Sequence, residues 1–214
     1  LITSNRGLAG GYNSNAVKLL TKDERFTTEN TVVYAVGTKG RDSVEREGYT
    51  IAGDYSEAIN EPLYADASEI GKEVLSKFTM GEIGEIYLIY TIFKNTMVQI
   101  PTMMKLLPID ASDITADAED VEENPIDRIT LMNYEPAPEE ALNAIIPKYV
   151  NSLIFGGLVE SHASENGARM QAMDSATSNA EEMISDLSLK YNRARQASIT
   201  QELTEIIAGA SAIS

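Results

Sequence analysis

Residues 168–213, ARMQAMDSATSNAEEMISDLSLKYNRARQASITQELTEIIAGASAI, carry a long and regular apolar pattern. Apolar or small residues recur there every three or four positions: Met170, Met173, Thr177, Ala180, Ile184, Leu187, Tyr191, Ala194 and Ser198. After a one-residue shift the stripe continues with Ile199, Leu203, Ile206, Ala210 and Ile213. More than four heptads of this spacing predict a coiled-coil helix. About 45 helical residues span roughly 65–70 Å, twice the width of a small domain, so the stripe needs a partner helix.

The same helix is predicted to begin near residue 139 and to run to residue 214. Pro136 and Pro138 precede it, and Glu139 and Glu140 suit the positive end of a helix. We expect Pro147 to kink or break the helix, because proline lacks a backbone N–H and crowds the preceding turn. The pair at residues 156–157, Gly-Gly, should weaken the helix again.

Residues 1–134 alternate between strand-like and helix-like segments, which predicts an α/β domain with a mostly parallel sheet covered on both faces. The predicted strands are residues 1–4, 31–36, 49–51, 85–93 and 97–107. The predicted helices are residues 15–20, 39–47 and 61–78, the last with Pro62 in its first turn. The strand at 31–36 is continuously apolar, so both its faces should be buried. The last two strands should form an antiparallel hairpin, with Pro101 marking an edge or bulged strand.

Residues 110–127 contain eight acidic residues and no apolar period. A solvated surface loop is the favoured interpretation, because like charges repel and extend a segment. A calcium-binding loop is the alternative, but it lacks the glycine such loops have at their sixth position.

Composition narrows the classes of function. The 214 residues carry a formal net charge of −16, which disfavours binding to nucleic acid or to anionic lipid. There is no cysteine, so disulfides, thiolate nucleophiles and cysteine-bound zinc are excluded from this sequence. No apolar run approaches the length of a membrane span, so we expect no direct insertion into lipid. The sequence begins with Leu1 rather than methionine, and we expect it to be a fragment or a processed chain.

Motifs for catalysis or cofactor binding are weak. Gly7, Gly10 and Gly11 have the spacing G-x-x-G-G, which fits a tight strand-to-helix turn and not a dinucleotide fingerprint. Residues 48–54 have the glycine spacing of a phosphate-binding loop but place Asp54 where lysine is needed. His162, beside Ser161, is interpreted as a surface residue, because the sequence lacks the G-x-S-x-G turn that holds a catalytic serine. We expect no cofactor and no metal.

Three segments carry a resemblance to a known family. Residues 191–202, YNRARQASITQE, are followed by a second acid at Glu205 and by a Gly-Ala pair. Residues 168–177, ARMQAMDSAT, and residues 2–15, ITSNRGLAGGYNSN, provide two further landmarks. Together they resemble the gamma subunits of F-type ATP synthases over the whole chain.

The resemblance implies a Rossmann-like domain at residues 1–134, with the acidic loop, and a helix at 139–214 that forms one strand of an antiparallel coiled-coil shaft. The family's long N-terminal helix, the other strand of that shaft, is expected to be absent here. The implied function is that of a non-catalytic rotor, which couples proton flow through the membrane sector to ATP synthesis or hydrolysis in the alpha–beta hexamer.

The implied partners are the alpha, beta and epsilon subunits, the membrane c-ring and the N-terminal helix of the same subunit. The implied location is the cytoplasmic face of a bacterial plasma membrane. A bacterial source is favoured over a mitochondrial one, and the absence of cysteine excludes the thiol switch of chloroplast relatives.

The resemblance carries over four partner-binding residues on the long helix: Arg195, Gln196, Thr200 and Glu202. A guanidinium fork and an amide could bond to side chains of a surrounding protein, although an ordinary solvated pair is the simpler interpretation from the residues alone. Two other functions stay open at this point. One is a coiled-coil scaffold or adaptor unrelated to energy coupling, and the other is a Rossmann-type nucleotide-binding enzyme.

Overall fold

A computed structural model describes residues 1–109 and 138–213, and within the second range it describes side chains at positions 143–211. The predicted acidic loop at 110–127 lies outside the described residues. The elements are α1 (Tyr12–Thr21), β1 (Val32–Ala35), α2 (Thr38–Arg46), β2 (Thr50–Asp54), a 3-10 helix (Ser56–Ile59), α3 (Tyr64–Thr79), β3 (Ile86–Phe93), β4 (Gln99–Leu107) and α4 (Pro138–Ile213). The predicted combination of an α/β region with a long C-terminal helix is confirmed.

The strands form two pairs that the first residues of the chain connect. β1 and β2 are parallel, whereas β3 and β4 form an antiparallel hairpin, the longer of the two ladders. The Ile2 N–H donates to the Ile89 carbonyl at 2.8 Å, and the Thr3 N–H donates to the Val36 carbonyl at 2.7 Å. Residues 1–3 therefore lie between β1 and β3, and the described pairing is mixed rather than mostly parallel. Pro101 lies on β4 opposite Thr91, and among the described strands β4 pairs only with β3, as expected of an edge strand.

Side chains alternate between two apolar clusters on opposite faces of these strands. Leu88 packs with α3 and the first part of α4 in a cluster whose buried members include Ile59, Ile70, Val74, Val150, Ile154 and Leu158. The neighbouring residue, Ile89, packs with α1 and α2 in a second cluster that includes Ala16, Val17, Leu20, Val33 and Val44. Helices therefore cover both faces of the sheet, as the period-two alternation of strand side chains requires.

Two local predictions are wrong. Helix α3 begins at Tyr64 rather than at residue 61, so Pro62 precedes it. Leu63 is the N-cap, with an extended backbone, and its N–H donates to the Asp66 carboxylate at 3.4 Å. Strand β1 is not buried on both faces, because Val33 and Ala35 are buried while Val32 is exposed.

Helix α4 runs without interruption through Pro147, so the predicted break at that position is wrong. Residues 143–145 and Pro147 itself are exposed. The carbonyl group that loses its bond to the missing proline N–H can therefore bond to water instead. The helix then enters the core through Val150, Ile154 and Leu158. Among residues 1–109 and 138–213, no helix is long and apolar enough to cross a membrane.

The predicted weakness at residues 156–157 has a compensating contact. A Cβ atom at Gly157 would lie 3.0 Å from Leu88 Cδ2 and 3.4 Å from Ile2 Cδ1. The missing side chain therefore lets the helix backbone lie directly on the strands, which offsets part of the low helix propensity of glycine.

Gly37, between β1 and α2, offers a test of this packing. Its φ is +101°, and a Cβ atom there would lie 2.2 Å from the Thr3 carbonyl oxygen. We expect Gly37→Ala to lower the free energy of unfolding by about 2 kcal/mol or more, because both the backbone conformation and the clash oppose it. The measurement is urea unfolding followed by circular dichroism.

Gly156→Ala is the matched control. Gly156 lies within α4, and a Cβ atom there would contact nothing within 4 Å beyond its own turn of the helix. We therefore expect a gain of up to about 1 kcal/mol from helix propensity. Equal effects of the two substitutions would contradict the assigned role of Gly37.

Candidate partner-binding site

The distal part of α4 presents an uncovered apolar stripe. The chain divides into two units, Leu1–Met170 and Gln171–Ser214. The large side chains of the stripe are all exposed, with fractional exposures from 39% at Met173 to 68% at Tyr191. They are Met170, Met173, Ile184, Leu187, Tyr191, Ile199, Leu203 and Ile206. A row of this length is typical of a surface that another helix or protein covers.

The four predicted partner-binding residues lie on this exposed helix. Arg195, Gln196, Thr200 and Glu202 are all exposed, and the helical repeat places them within an arc of about 160° and over about 10 Å of helix. The Thr200 carbonyl accepts a bond from the Thr204 hydroxyl at 2.8 Å. The Glu202 carboxylate accepts one from the Ser198 hydroxyl at 3.4 Å. These are local helical contacts, so all four side chains have faces open to a partner.

The crevice at the carboxyl ends of the parallel strands, where a Rossmann-type enzyme would bind phosphate, is filled by the chain itself. A helix N-terminus binds phosphate through its free N–H groups. In α2 the Thr38 N–H donates to Asn5 Oδ1 at 3.0 Å, and the Gly40 N–H donates to Thr3 Oγ1 at 2.9 Å. The intervening Lys39 N–H donates to the Ser4 carbonyl at 3.1 Å. These three donors are therefore not available to a nucleotide.

Asp54 stands where a phosphate-binding loop would have its lysine. It is a structural carboxylate. It accepts a hydrogen bond from the Ser56 hydroxyl and forms a 2.6 Å ion pair with Arg41. The Ser56 hydroxyl, together with the Arg41 guanidinium, holds the pKa of Asp54 below its usual value. A carboxylate kept ionised at this edge repels phosphate.

His162 is not the free surface residue predicted from the sequence. Its side chain is half-buried, and Nδ1 lies 2.9 Å from the Ile59 carbonyl oxygen. The neighbouring Ser161 is fully buried, and its Oγ accepts the Thr91 N–H at 3.1 Å, so this hydroxyl is not free to act as a nucleophile. In the part of the chain that the structure describes, no cluster of His, Cys, Asp or Glu could hold a metal ion.

A buried polar network where α4 meets β3 was missed in the sequence. Ser164 donates through its hydroxyl to the Thr91 carbonyl at 3.0 Å, next to the bond from Ser161. The Tyr12 hydroxyl donates to the Ser161 carbonyl at 3.1 Å, and Arg169 pairs with Glu165 at 2.6 Å. The available signal was the pair of serines spaced i, i+3, which share a helix face with buried apolar residues.

Known proteins are similar to the chain over its whole length, including the distal helix. A model of the family described as ATP synthase matches residues 1–213. The ATP synthase gamma chain of Lachnoclostridium phytofermentans is 66% identical over 213 residues, covering 100% of this chain and 72% of that protein. The chain belongs to the ATP synthase gamma-chain family.

Other relatives agree with this assignment. The gamma chain of Acetobacterium woodii, named as sodium ion specific, is 44% identical to this gamma chain and covers all of it, over 73% of its own length. Among solved structures, a chain of the Tetrahymena thermophila mitochondrial ATP synthase central stalk and c-ring shows 25% sequence identity and a TM-score of 0.59. The match covers 82% of this chain and 74% of the Tetrahymena chain. A Euglena gracilis mitochondrial ATP synthase chain shares the fold with a TM-score of 0.67 at 20% identity, over 99% of this chain and 71% of its own.

The predicted family and function are thereby confirmed. This gamma chain is a non-catalytic subunit of the ATP synthase central stalk and acts as part of its rotor. The self-filled crevice at the strand ends agrees with a subunit that has no active site of its own.

The role of Asp54 can be tested by measuring the free energy of unfolding as the pH is lowered. Its folded-state pKa is depressed, so its contribution is fully present above the unfolded-state value of about 3.9 and is lost as pH falls through the folded-state value. We expect Asp54→Asn to lower the free energy of unfolding by at most about 1 kcal/mol at pH 7, because the ion pair is partly exposed.

The difference between this variant and the unsubstituted chain should shrink as pH falls below about 4. Asp42→Asn is the control, because it removes another carboxylate beside Arg41 that has no bond to Ser56. A difference that stays constant from pH 7 to pH 3 would show that ionised Asp54 does not stabilise the folded chain.

Proposed function

We propose that this gamma chain couples ion flow through the membrane c-ring to ATP synthesis or hydrolysis in the alpha–beta hexamer. The distal helix, residues 171–213, turns inside the hexamer, while residues 1–170 bind the epsilon subunit and the c-ring. The complex lies on the cytoplasmic face of a bacterial plasma membrane. The observation that carries the proposal is the uncovered apolar stripe on a continuous helix of 76 residues.

The stripe requires a companion helix before the shaft can transmit force. A single exposed helix in water is only marginally stable, whereas two helices packed along a heptad seam stiffen each other. The proposed companion is an N-terminal helix of the same subunit, antiparallel to α4. Small seam residues such as Ala180 and Ala194 suit a close pairing of the two helices.

The domain at residues 1–134 is proposed to be Rossmann-like. The parallel pair β1–β2 and the helix α2 between these strands support this architecture. Its strand ends bind no nucleotide in the proposal, since the chain's own Thr3, Ser4 and Asn5 occupy the amide donors of α2.

Contact with the hexamer is assigned to Arg195, Gln196, Thr200 and Glu202. The Arg195 fork can bind a carboxylate through two parallel hydrogen bonds, and the Gln196 amide can both donate and accept. As the shaft turns, each beta subunit meets this charged and polar face in a different orientation. A conformational equilibrium in the beta subunit shifts only by the difference in contact energy between its states.

Ion translocation supplies the free energy for this rotation. One elementary charge crossing 100 mV provides about 2.3 kcal/mol, so several charges together provide on the order of 10 kcal/mol. The proposed ion is the proton. The gamma chain itself contacts the ring and not the ion, so the same shaft would fit a ring that carries sodium.

Replacement of Arg195 and Gln196 tests the contact with the catalytic subunits. In an intact ATP synthase, we expect Arg195→Ala/Gln196→Ala to lower ATP synthesis several-fold, because hydrogen bonds to charged groups contribute about 1.5–3 kcal/mol each. The measurement is ion-driven ATP synthesis in vesicles, with circular dichroism of the purified subunit to show that α4 stays helical.

Arg193→Ala is the control for this experiment. It removes the same charge from a position about 160° around the helix from Arg195, and we expect a smaller loss. Synthesis at the unsubstituted rate in the double variant would remove the role assigned to Arg195 and Gln196.

Amide hydrogen exchange tests the proposed contact of the distal helix with the alpha–beta hexamer. With a gamma chain that carries the companion helix, adding isolated alpha–beta hexamer should slow exchange in residues 193–213 at least about tenfold, because partner contact suppresses local opening. Residues 150–158, buried in the core, are the internal control and should not change. No slowing in residues 193–213 would contradict the proposed contact with the hexamer.

A further inference from the structure

The edge of strand β3 that faces away from β4 is covered by two kinds of partner. At Ile89 the carbonyl accepts the Ile2 N–H. Two residues further along the strand, the backbone groups of Thr91 point the same way. The chain has already turned away there, since the Ser4 N–H donates to Asn13 Oδ1 in α1. Within residues 1–109 and 138–213, Thr91 therefore has no strand to pair with on this side.

Helix α4 supplies the missing hydrogen bonds from side chains. Ser161 Oγ accepts the Thr91 N–H at 3.1 Å, and Ser164 Oγ donates to the Thr91 carbonyl at 3.0 Å. Both serines are fully buried, and Thr91 is 2% exposed, so water does not replace these bonds. The i, i+3 spacing of the serines matches the donor and the acceptor of a single residue.

The two bonds fix the position of α4 along its axis. A helix held only by apolar contacts can slide or rotate slightly at little cost, because hydrophobic contact is not directional. A shift of one turn, about 5.4 Å, would leave both backbone groups of Thr91 without partners. The Tyr12 hydroxyl, which donates to the Ser161 carbonyl at 3.1 Å, holds the same residue from α1.

On both sides of these bonds, a glycine lets the backbone of α4 approach the hairpin closely. Gly157 lies against Leu88, and a Cβ atom at Gly167 would lie 3.0 Å from Phe93 Cε2. The helix therefore follows the hairpin closely for three turns. Beyond Arg169, residues 170–211 are exposed apart from the partly exposed Ala172. The serine contact is thus part of the last buried anchorage of α4 before its exposed distal part.

We propose that Ser161 and Ser164, bonded to the Thr91 backbone, form a clamp that locks α4 to the hairpin and transmits torque between residues 1–170 and the distal helix. Ser161, Ser164 and Tyr12 are positioning residues, since none of them needs to touch another subunit. The proposal rests on the proposed rotor function. It identifies the contact through which the rotor transmits torque.

The test measures the torsional stiffness of the rotor in an assembled complex. The alpha–beta hexamer with its full gamma chain is fixed to a surface and arrested with nucleotide. A bead is attached through Glu24→Cys, an exposed position in a sequence of 214 residues that has no cysteine. We expect Ser161→Ala/Ser164→Ala to raise the angular variance of the bead about twofold, because two of the three hydrogen bonds made at Ser161 and Ser164 to Thr91 and Tyr12 are lost.

Ser152→Ala/Asn166→Ala is the matched control, with two exposed polar residues of the same helix segment replaced. Its angular variance should equal that of the unsubstituted complex. A merely structural role of the serines would lower the melting temperature of the subunit and leave the variance unchanged, which would overturn the proposal.

Single replacements keep the test decisive if the double variant does not fold. Ser164→Ala removes the bond to the Thr91 carbonyl, and Tyr12→Phe removes the bond to the Ser161 carbonyl. Each should raise the variance by less than the double variant, and no rise in either would overturn the clamp. Failure of the unsubstituted complex to rotate with ATP would instead overturn the proposed rotor function and would leave the contacts at Thr91 as an anchor without load.

Discussion

An apolar stripe on a helix must be covered, and α4 meets this requirement within the described residues in only the first part of its length. Val150, Ile154 and Leu158 are buried beneath the sheet, and each contributes about 1.5–3 kcal/mol through the area it removes from water. Ile184 and Leu187, on the same helix, are exposed. The subunit's first unit therefore has a core of its own, whereas the apolar side chains of the distal helix are exposed and need a partner to cover them.

Hydroxyl groups at the last buried turns of α4 form hydrogen bonds to the strand edge that apolar residues could not form. The strand edge at Thr91 has a backbone donor and an acceptor away from water, and each would cost about 1–3 kcal/mol if left unpaired. Two serines meet both needs from a helix, without an additional strand. Because hydrogen bonds are directional and apolar contacts are not, the same residues that satisfy the sheet also set the axial register of the helix.

The sequence predicted those features that repeat with a period. The heptad spacing identified the long helix, and the apolar runs identified the hairpin and Pro101 on its edge strand. Single residues were harder to place. Pro147 was expected to kink or break the helix, but α4 continues through it, and its exposed surroundings allow water to satisfy the freed carbonyl. His162 was interpreted as a surface residue, because a short polar run on a helix does not reveal which strand edge it faces. The contacts proposed for Arg195 and Gln196 depend on other chains, so no feature within this one determines them.

A ligand site and a rigid structural core make opposite demands on the ends of parallel strands. A nucleotide site keeps helix N–H groups open to solvent and allows the surrounding loops to move. In this gamma chain Thr3, Ser4 and Asn5 occupy those groups on α2, while the neighbouring Ile2 bonds to β3. Opening the crevice for a ligand would therefore break bonds that hold the sheet together. The arrangement that removes a phosphate site also ties β1, β3 and α2 into one body, and a rotor needs such a body because any bending stores energy that should reach the catalytic subunits.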